Sequence, residues 1–327
     1  MPQRRIHDNP AARSRHYRRM QKLQLNGPLQ SLFPYPGGKA QVAPIIWAHF
    51  GTIRNYLEPF AGSLAVLLAR PDRPRVETVS DADGHLVNFF RSIVADPDMV
   101  VRYARWPVTS VDLWARHDTL CAQRDALTAQ LIADYRFCDP VLAGLWLYAV
   151  STWTGSGFAQ KAGGRSHPHV SHTGSGIHAL KRRGKLAQLC AQLQLRLQDV
   201  RFLCGEWRRL LTKTQLFGVG GITGILLDPP YTLERRDQAF YATPGACAPA
   251  VRDWAVAHGN DPRLRIALCG LADAYEMPDD WVAHHWQARG GLANTKASGR
   301  GSGTTRSEVL WFSPFCSRQI DQPLLLA

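Results

Sequence analysis

The segment Leu226-Leu227-Asp228-Pro229-Pro230-Tyr231 constrains this chain more than any other. Two aliphatic residues that read as the end of a buried strand run straight into a carboxylate, two prolines and an aromatic ring. Each proline locks its own φ and biases the residue before it towards extended backbone, so Asp228 and Pro229 are held at the strand's carboxyl end. Prolines have no N–H to donate, so the Asp228 carboxylate and the neighbouring carbonyls present acceptors only. That suits an amino group. The simpler alternative is a strand-ending turn in which Asp228 caps something local.

The upstream pattern places this knuckle in an α/β sheet. Tyr56-Leu57-Glu58-Pro59-Phe60 reads as a strand ending in an acid, followed by the small turn Ala61-Gly62-Ser63 and an apolar helix over residues 64–69. Residues 76–79 give a second strand ending at Ser80-Asp81, the position where doubly wound folds hold ribose hydroxyls; a second capping residue is the alternative. Asp83 reads as the N-cap of a helix over 86–94. Ahead of these lies the turn-rich Phe33-Pro34-Tyr35-Pro36-Gly37-Gly38-Lys39, whose glycines permit close backbone approach and whose lysine can reach an anion. It lacks the spacing of a phosphate-binding P-loop. From residue 200 the alternation resumes, with strands at 200–205, 224–228, 264–270, 281–287 and 307–312 and helices at 207–212 and 248–258.

Residues 101–199 break this rhythm and read as a mainly helical insertion, with helices at 113–135, 141–153 and 177–197 and a Gly, Ser and His loop at 154–176. The resulting division is a basic tail (1–30), a first catalytic part (31–100), the insertion (101–199) and a second catalytic part (200–327). His167, His169, His172 and His178 have no accompanying cysteine or acid cluster with ligand spacing, so no metal is expected. Lys161, Arg165, Lys181, Arg182, Arg183 and Lys185 instead suit phosphate or base contacts. Lys296 and Arg300, in the Gly- and Ser-rich stretch 290–306, are further candidates if that stretch is more than a surface loop. Trp146, Trp153 and Phe158 read as core.

A formal charge of +13 favours a polyanionic partner. No apolar run approaches membrane-spanning length, and seven widely spaced cysteines without a Cys-x-x-Cys pair fit reduced thiols in a cytoplasmic protein.

Taken in order, 33–39, 57–63, Ser80-Asp81 and Asp228-Pro229-Pro230-Tyr231 resemble the bacterial and phage adenine-specific DNA methyltransferases that use S-adenosylmethionine, in the group whose recognition region lies between the cofactor motif and Asp-Pro-Pro-Tyr. The resemblance extends to Glu308-Val309-Leu310-Trp311. It implies a doubly wound, mostly parallel seven-stranded sheet with the last strand antiparallel, and a helical target-recognition insertion. It implies that Tyr35, Gly37, Gly38 and Lys39 line the cofactor site, that Glu58, Pro59, Phe60, Gly62 and Ser63 form the loop beneath the methionine part, and that Asp81 holds the ribose. Glu206 would sit near the cofactor adenine, where the family often has Asp. Double-stranded DNA is the implied partner, in a bacterial cytoplasm, with a monomer and a cognate restriction endonuclease compatible with the pattern. Two departures stand out: Leu64 replaces a glycine common in the family, and 153–158 matches its Asn-Gly segment only loosely, so no recognition sequence carries over.

In that chemistry, Asp228 and the Pro229 carbonyl would accept from the two hydrogens of an adenine 6-amino group and aim its lone pair, while Tyr231 stacks on a base swung out of the duplex. Transfer to the 4-amino group of cytosine, where the family more often uses Ser, is an alternative. So is a non-catalytic DNA-binding protein on the same scaffold. An NAD-dependent enzyme fits less well, since Gly-x-Gly-x-x-Gly is missing after the first strand.

Overall fold

Strands buried along their whole length need cover on both faces of their sheet, and the two strands at its centre have it. The computed structural model describes residues 29–35, 37–71, 76–154, 158–159, 161, 163–170, 176–179, 184–230, 247–287 and 307–317. Within them, β1 (Asn55–Glu58) and β4 (Thr223–Leu227) are buried at every position. The other strands are β2 (Val76–Asp81), β3 (Arg201–Cys204), β5 (Leu264–Leu271), β6 (Val282–Gln287) and β7 (Ser307–Phe312). They form one seven-stranded sheet in the order β3-β2-β1-β4-β5-β7-β6. All neighbours pair in parallel except β7, which lies antiparallel between β5 and β6. This is the doubly wound methyltransferase sheet expected from the sequence. The chain runs from β1 outward to β2 and β3, then returns to the other side of β1 as β4. A ligand crevice belongs at that reversal, beyond the strands' carboxyl ends.

Side-chain alternation splits the interior into two cores. Tyr56, Leu226, Ala267 and Cys269 face one side, with helices α1 (Ala43–Phe50) and α3 (Gly84–Ala95). Leu57, Ile225, Leu227, Ile266 and Leu268 face the other, against Trp207, Leu216 and Val251. Between α1 and α3 lies the one-turn α2 (Ala65–Leu68). The helices that follow start where the sequence supplies caps: the Asp83 side chain accepts from His85 N–H before α3, Asp96 from Met99 before α4 (Pro97–Ala104), Thr109 from Asp112 before α5 (Ser110–Ala133), and Asp139 from Val141 and Leu142 before α6 (Pro140–Thr152). Each cap satisfies N–H groups that the helix itself leaves without partners.

Helices α4, α5, α6 and α7 (Leu186–Leu197) lie between β2 and β3 in the chain, and their apolar side chains join the same core as Tyr56 and Leu226. Trp146 and Trp153 are core residues here: Trp146 packs edge-on to Phe33, and Trp153 stacks on His117. The Arg196 guanidinium on α7 binds the buried Glu77 of β2 at 2.6 and 2.8 Å and so pins this layer to the sheet.

Two helices differ from expectation. The helix expected over 177–197 starts only at Leu186, because Gly184 takes a left-handed φ of 76° and residues 176–179 form turns and bends. Lys185 therefore precedes the helix, and Lys181, Arg182 and Arg183 lie outside the described residues. The helix expected over 207–212 is a 3₁₀ turn, Trp207–Leu210, followed by α8 (Lys213–Phe217); Thr212, extended at ψ 156°, caps the second piece and separates the two. The last helix among the described residues is α9 (Ala248–His258). No helix among the described residues is long and apolar enough to cross a membrane.

Close approach of α6 to α4 depends on Gly144, where an added Cβ would lie 2.5 Å from Tyr103 Cβ and 2.7 Å from the Val100 carbonyl oxygen. Gly144→Ala should gain about 1 kcal/mol of helix propensity but lose more, about 1–3 kcal/mol, to overpacking against backbone. A lower urea midpoint is expected; an unchanged or raised one would refute this contact as a stability determinant.

Candidate functional site

The crevice at the strand reversal brings together residues from five parts of the chain. Tyr35, Gly37, Gly38 and Lys39 line it from the amino-terminal turn, Glu58, Pro59, Phe60, Gly62 and Ser63 from the end of β1, Asp81 from β2, Glu206 from β3, and Asp228, Pro229 and Pro230 from β4. Tyr231, Lys296 and Arg300 lie outside the described residues.

The loop after β1 is shaped by two left-handed residues, Gly62 (φ 47°) and Leu64 (φ 58°). A Cβ on Gly62 would come within 3.0 Å of the Tyr35 ring, so a side chain there would push that ring away. Leu64 keeps the turn that a glycine would give. Left-handed backbone costs an L-residue about 1–2 kcal/mol, and complete burial of the Leu64 side chain offsets that strain.

Asp81 organises this loop from the neighbouring strand. Its Oδ2 accepts from Gly62 N–H at 3.0 Å and its Oδ1 from Asp83 N–H at 2.9 Å. With a further backbone N–H from Ala82, the carboxylate still has acceptor capacity left for a ligand hydroxyl. Burial pushes its pKa up to about 6, although the Asp83 and Gly62 N–H groups pull the other way. Glu58 accepts from the Tyr56 hydroxyl at 3.1 Å. Burial raises its pKa well above the carboxylate range, and the nearby Asp228, Glu77 and Asp81 charges push in the same direction against the Tyr56 bond. A cationic ligand relieves this crowding of acids.

Lys39 is committed inside the protein. Its ammonium donates to the Gly37 carbonyl at 2.7 Å and pairs with Asp228 Oδ2 at 2.8 Å and Glu308 Oε2 at 3.5 Å. Burial works against this ammonium, but Asp228 foremost, then Cys269 and Glu308, outweigh it and raise the pKa above the ordinary lysine value. The anion expected within reach of Lys39 is thus the Asp228 carboxylate itself.

Sequence reasoning missed several contributors. Trp207 lines the crevice beside Phe60, with their rings roughly parallel and 6.3 Å apart. Asp83, read only as a cap, lines it too. Glu308 and Cys269, whose thiol hydrogen-bonds to Asp228, sit around the Lys39–Asp228 pair. A local signal existed for Trp207, an aromatic directly after a strand-ending acid. None existed for Cys269.

Of the expected DNA contacts, Lys161 and Lys185 are exposed. Arg165 pairs with Asp118 at 3.3 Å and lies 5.5 Å from the Trp114 ring, so part of its charge is already matched. No group of three or more His, Cys, Asp or Glu among the described residues is arranged to hold a metal. All seven cysteines are free thiols.

The sheet order and the crevice define the class: an α/β protein with the methyltransferase fold. Residues 35–126, under a third of the chain, match the family model described as D12 class N6 adenine-specific DNA methyltransferase. That match supports adenine methylation of DNA. It covers the turn, Glu58 and Asp81, and stops well before Asp228, which the fold brings to the same crevice. No curated protein matches the chain.

Lys39→Met leaves two carboxylates beside a buried methionine. A loss of about 3 kcal/mol is expected at neutral pH. It should shrink as pH falls into the range where carboxylates protonate, because protonation removes the unmatched charge. Urea unfolding across that pH series measures it; a deficit independent of pH would refute the assignment.

Proposed function

We propose that this chain is a site-specific DNA adenine-N6 methyltransferase that uses S-adenosylmethionine. The observation that carries the reading is the convergence of Asp228-Pro229-Pro230 with the family-matched residues on one crevice.

The residues present fit this cofactor. Asp81 offers free lone pairs to ribose hydroxyls, the Phe60 and Trp207 rings and Glu206 offer a wall for a purine, and the excess of acid over base suits a molecule with a sulfonium and an ammonium. When bound, S-adenosylmethionine supplies a methyl group already activated by its sulfonium.

The chain's task is then to prepare the acceptor. Asp228 and the Pro229 carbonyl accept from the two hydrogens of the 6-amino group, which draws the nitrogen towards tetrahedral geometry and localises its lone pair. Lys39 fixes the Asp228 carboxylate from beneath, so little reorganisation is needed when the base arrives. A stacked base cannot reach such a crevice, so the adenine leaves the duplex at a cost of a few kcal/mol. Stacking on Tyr231 recovers about 1–3 kcal/mol of this. The target sequence is read by 101–199, with Lys161, Arg165, Lys181, Arg182, Arg183 and Lys185 as phosphate or base contacts and Lys296 and Arg300 as further contacts from the second half of the chain.

The test supplies tritiated cofactor and unmethylated duplex DNA, followed by chromatography of the digested nucleosides. Label is expected in N6-methyladenine, with Asp228→Ala lowering the rate by about 100-fold or more. No transfer by the parent, label in cytosine, or full activity in the variant would end this reading.

Asp81 adds a pH signature. The ionised carboxylate is the better acceptor for ribose hydroxyls, so cofactor affinity should be full above a pH of about 6 and fall as pH drops through it. Calorimetric titration reads this directly, and Asp81→Asn should flatten the profile at a reduced affinity.

A further inference from the structure

Two carboxylates share the Lys39 ammonium, and only one of them lines the crevice. Asp228 lies 2.8 Å from Lys39 Nζ and keeps 22% of its side chain exposed. Glu308 lies 3.5 Å from the same nitrogen, is 11% exposed, and does not line the crevice. It stands on β7 opposite Leu271 of β5 and Trp286 of β6, and the Trp286 ring is itself 5.9 Å from Lys39 Nζ. A carboxylate this enclosed needs a reason, because burying a charge is costly and the Lys39–Asp228 pair is already neutral without it.

We propose that Glu308 is a positioning residue, the standing counter-ion of Lys39 that lets Asp228 take up the proton released when adenine is methylated. This rests on the function proposed above. The nitrogen that accepts the methyl carries a positive charge and must shed one proton. Its N–H bond breaks, the electron pair stays on nitrogen, and the proton bonds to an Asp228 oxygen before passing to water. Asp228 is then a neutral acid and no longer balances Lys39. With Glu308 in place, the Lys39, Asp228 and Glu308 group passes from a net charge of −1 to 0. Without it, the same step would take the group from 0 to +1 around a buried ammonium, which the low dielectric of the interior opposes.

Among the described residues, the titratable neighbours of this group do not substitute for Glu308 in this role. Burial raises the pKa of the Cys269 thiol on β5 and of the Tyr275 hydroxyl, keeping both in their neutral forms. Glu58, at the end of β1, is likewise pushed by burial towards its neutral acid.

The test compares the full-length wild type with Glu308→Gln, Glu308→Asp, Lys39→Met and the Lys39→Met/Glu308→Gln double variant. S-adenosylmethionine binding is read by calorimetry, transfer to unmethylated genomic duplex DNA by tritium, and stability by melting. Glu308→Gln should bind cofactor within about 3-fold of wild type, lose about 10- to 100-fold in kcat near neutral pH, and recover as pH rises, because hydroxide can then remove the proton that Asp228 no longer takes. Glu308→Asp should restore most of the rate. The double variant should melt above Lys39→Met, because one of the two carboxylates that Lys39→Met leaves unmatched is gone. A Glu308→Gln enzyme with wild-type kcat and pH profile would overturn the proposal. Equal losses in Gln and Asp variants with a flat pH profile, or a double variant no more stable than Lys39→Met, would do the same. If the wild type itself transfers no methyl, the functional reading falls, and the melting comparison still decides whether Glu308 is the counter-ion of Lys39.

Discussion

A buried ammonium holds the site together. Lys39 comes from the amino-terminal turn, Asp228 from the end of β4 and Glu308 from β7, and the three meet beneath one crevice. Ionic contacts at the surface contribute little, but an enclosed pair leaves each partner dependent on the other, since removing one strands a desolvated charge. The contact therefore does more than fix one carboxylate. It couples the turn that lines the crevice to the strand that presents the acceptor knuckle, so neither can shift without exposing the other's charge to an apolar interior.

The rest of the crevice follows the same logic of acids placed at strand ends. β1, β2 and β4 run parallel and side by side, so Glu58, Asp81 and Asp228 emerge on one edge. Backbone N–H groups of Gly62 and Asp83 hold Asp81, the Tyr56 hydroxyl holds Glu58, and Lys39 holds Asp228. Each acid has a different kind of partner. The three are therefore not interchangeable.

Much of this was legible in the sequence because strand endings are local events. An aliphatic run stopping at an acid followed by proline or small residues can be read without knowing the fold, and Glu58, Asp81 and Asp228 all fall at such stops. The mostly parallel seven-stranded sheet and its antiparallel last strand followed from the family resemblance, whereas the order of the strands came only with the structure. Other features depend on partners distant in the chain. Leu64 holds a left-handed conformation whose strain is offset by the burial of its side chain, and no property of leucine announces that. The late start of α7 turns on the φ of Gly184, one glycine among several in that stretch. Glu308 was visible as part of a motif, but its pairing with Lys39 appears only when β7 is laid into the sheet.

That last step has a consequence for how the protein is made. β7 does not extend the sheet at its margin; it enters between β5 and β6, both of which precede it in the chain. During synthesis the amino-terminal parts emerge and begin to organise first, while contacts of high sequence separation wait for the end. A ribosome that has already released the turn, the crevice loop and the acceptor knuckle still holds an unfinished charge balance. The crevice gains its full charge balance only once β7 has been made, so a chain still in synthesis, although it displays most of the crevice, has not yet acquired the electrostatics of the finished site.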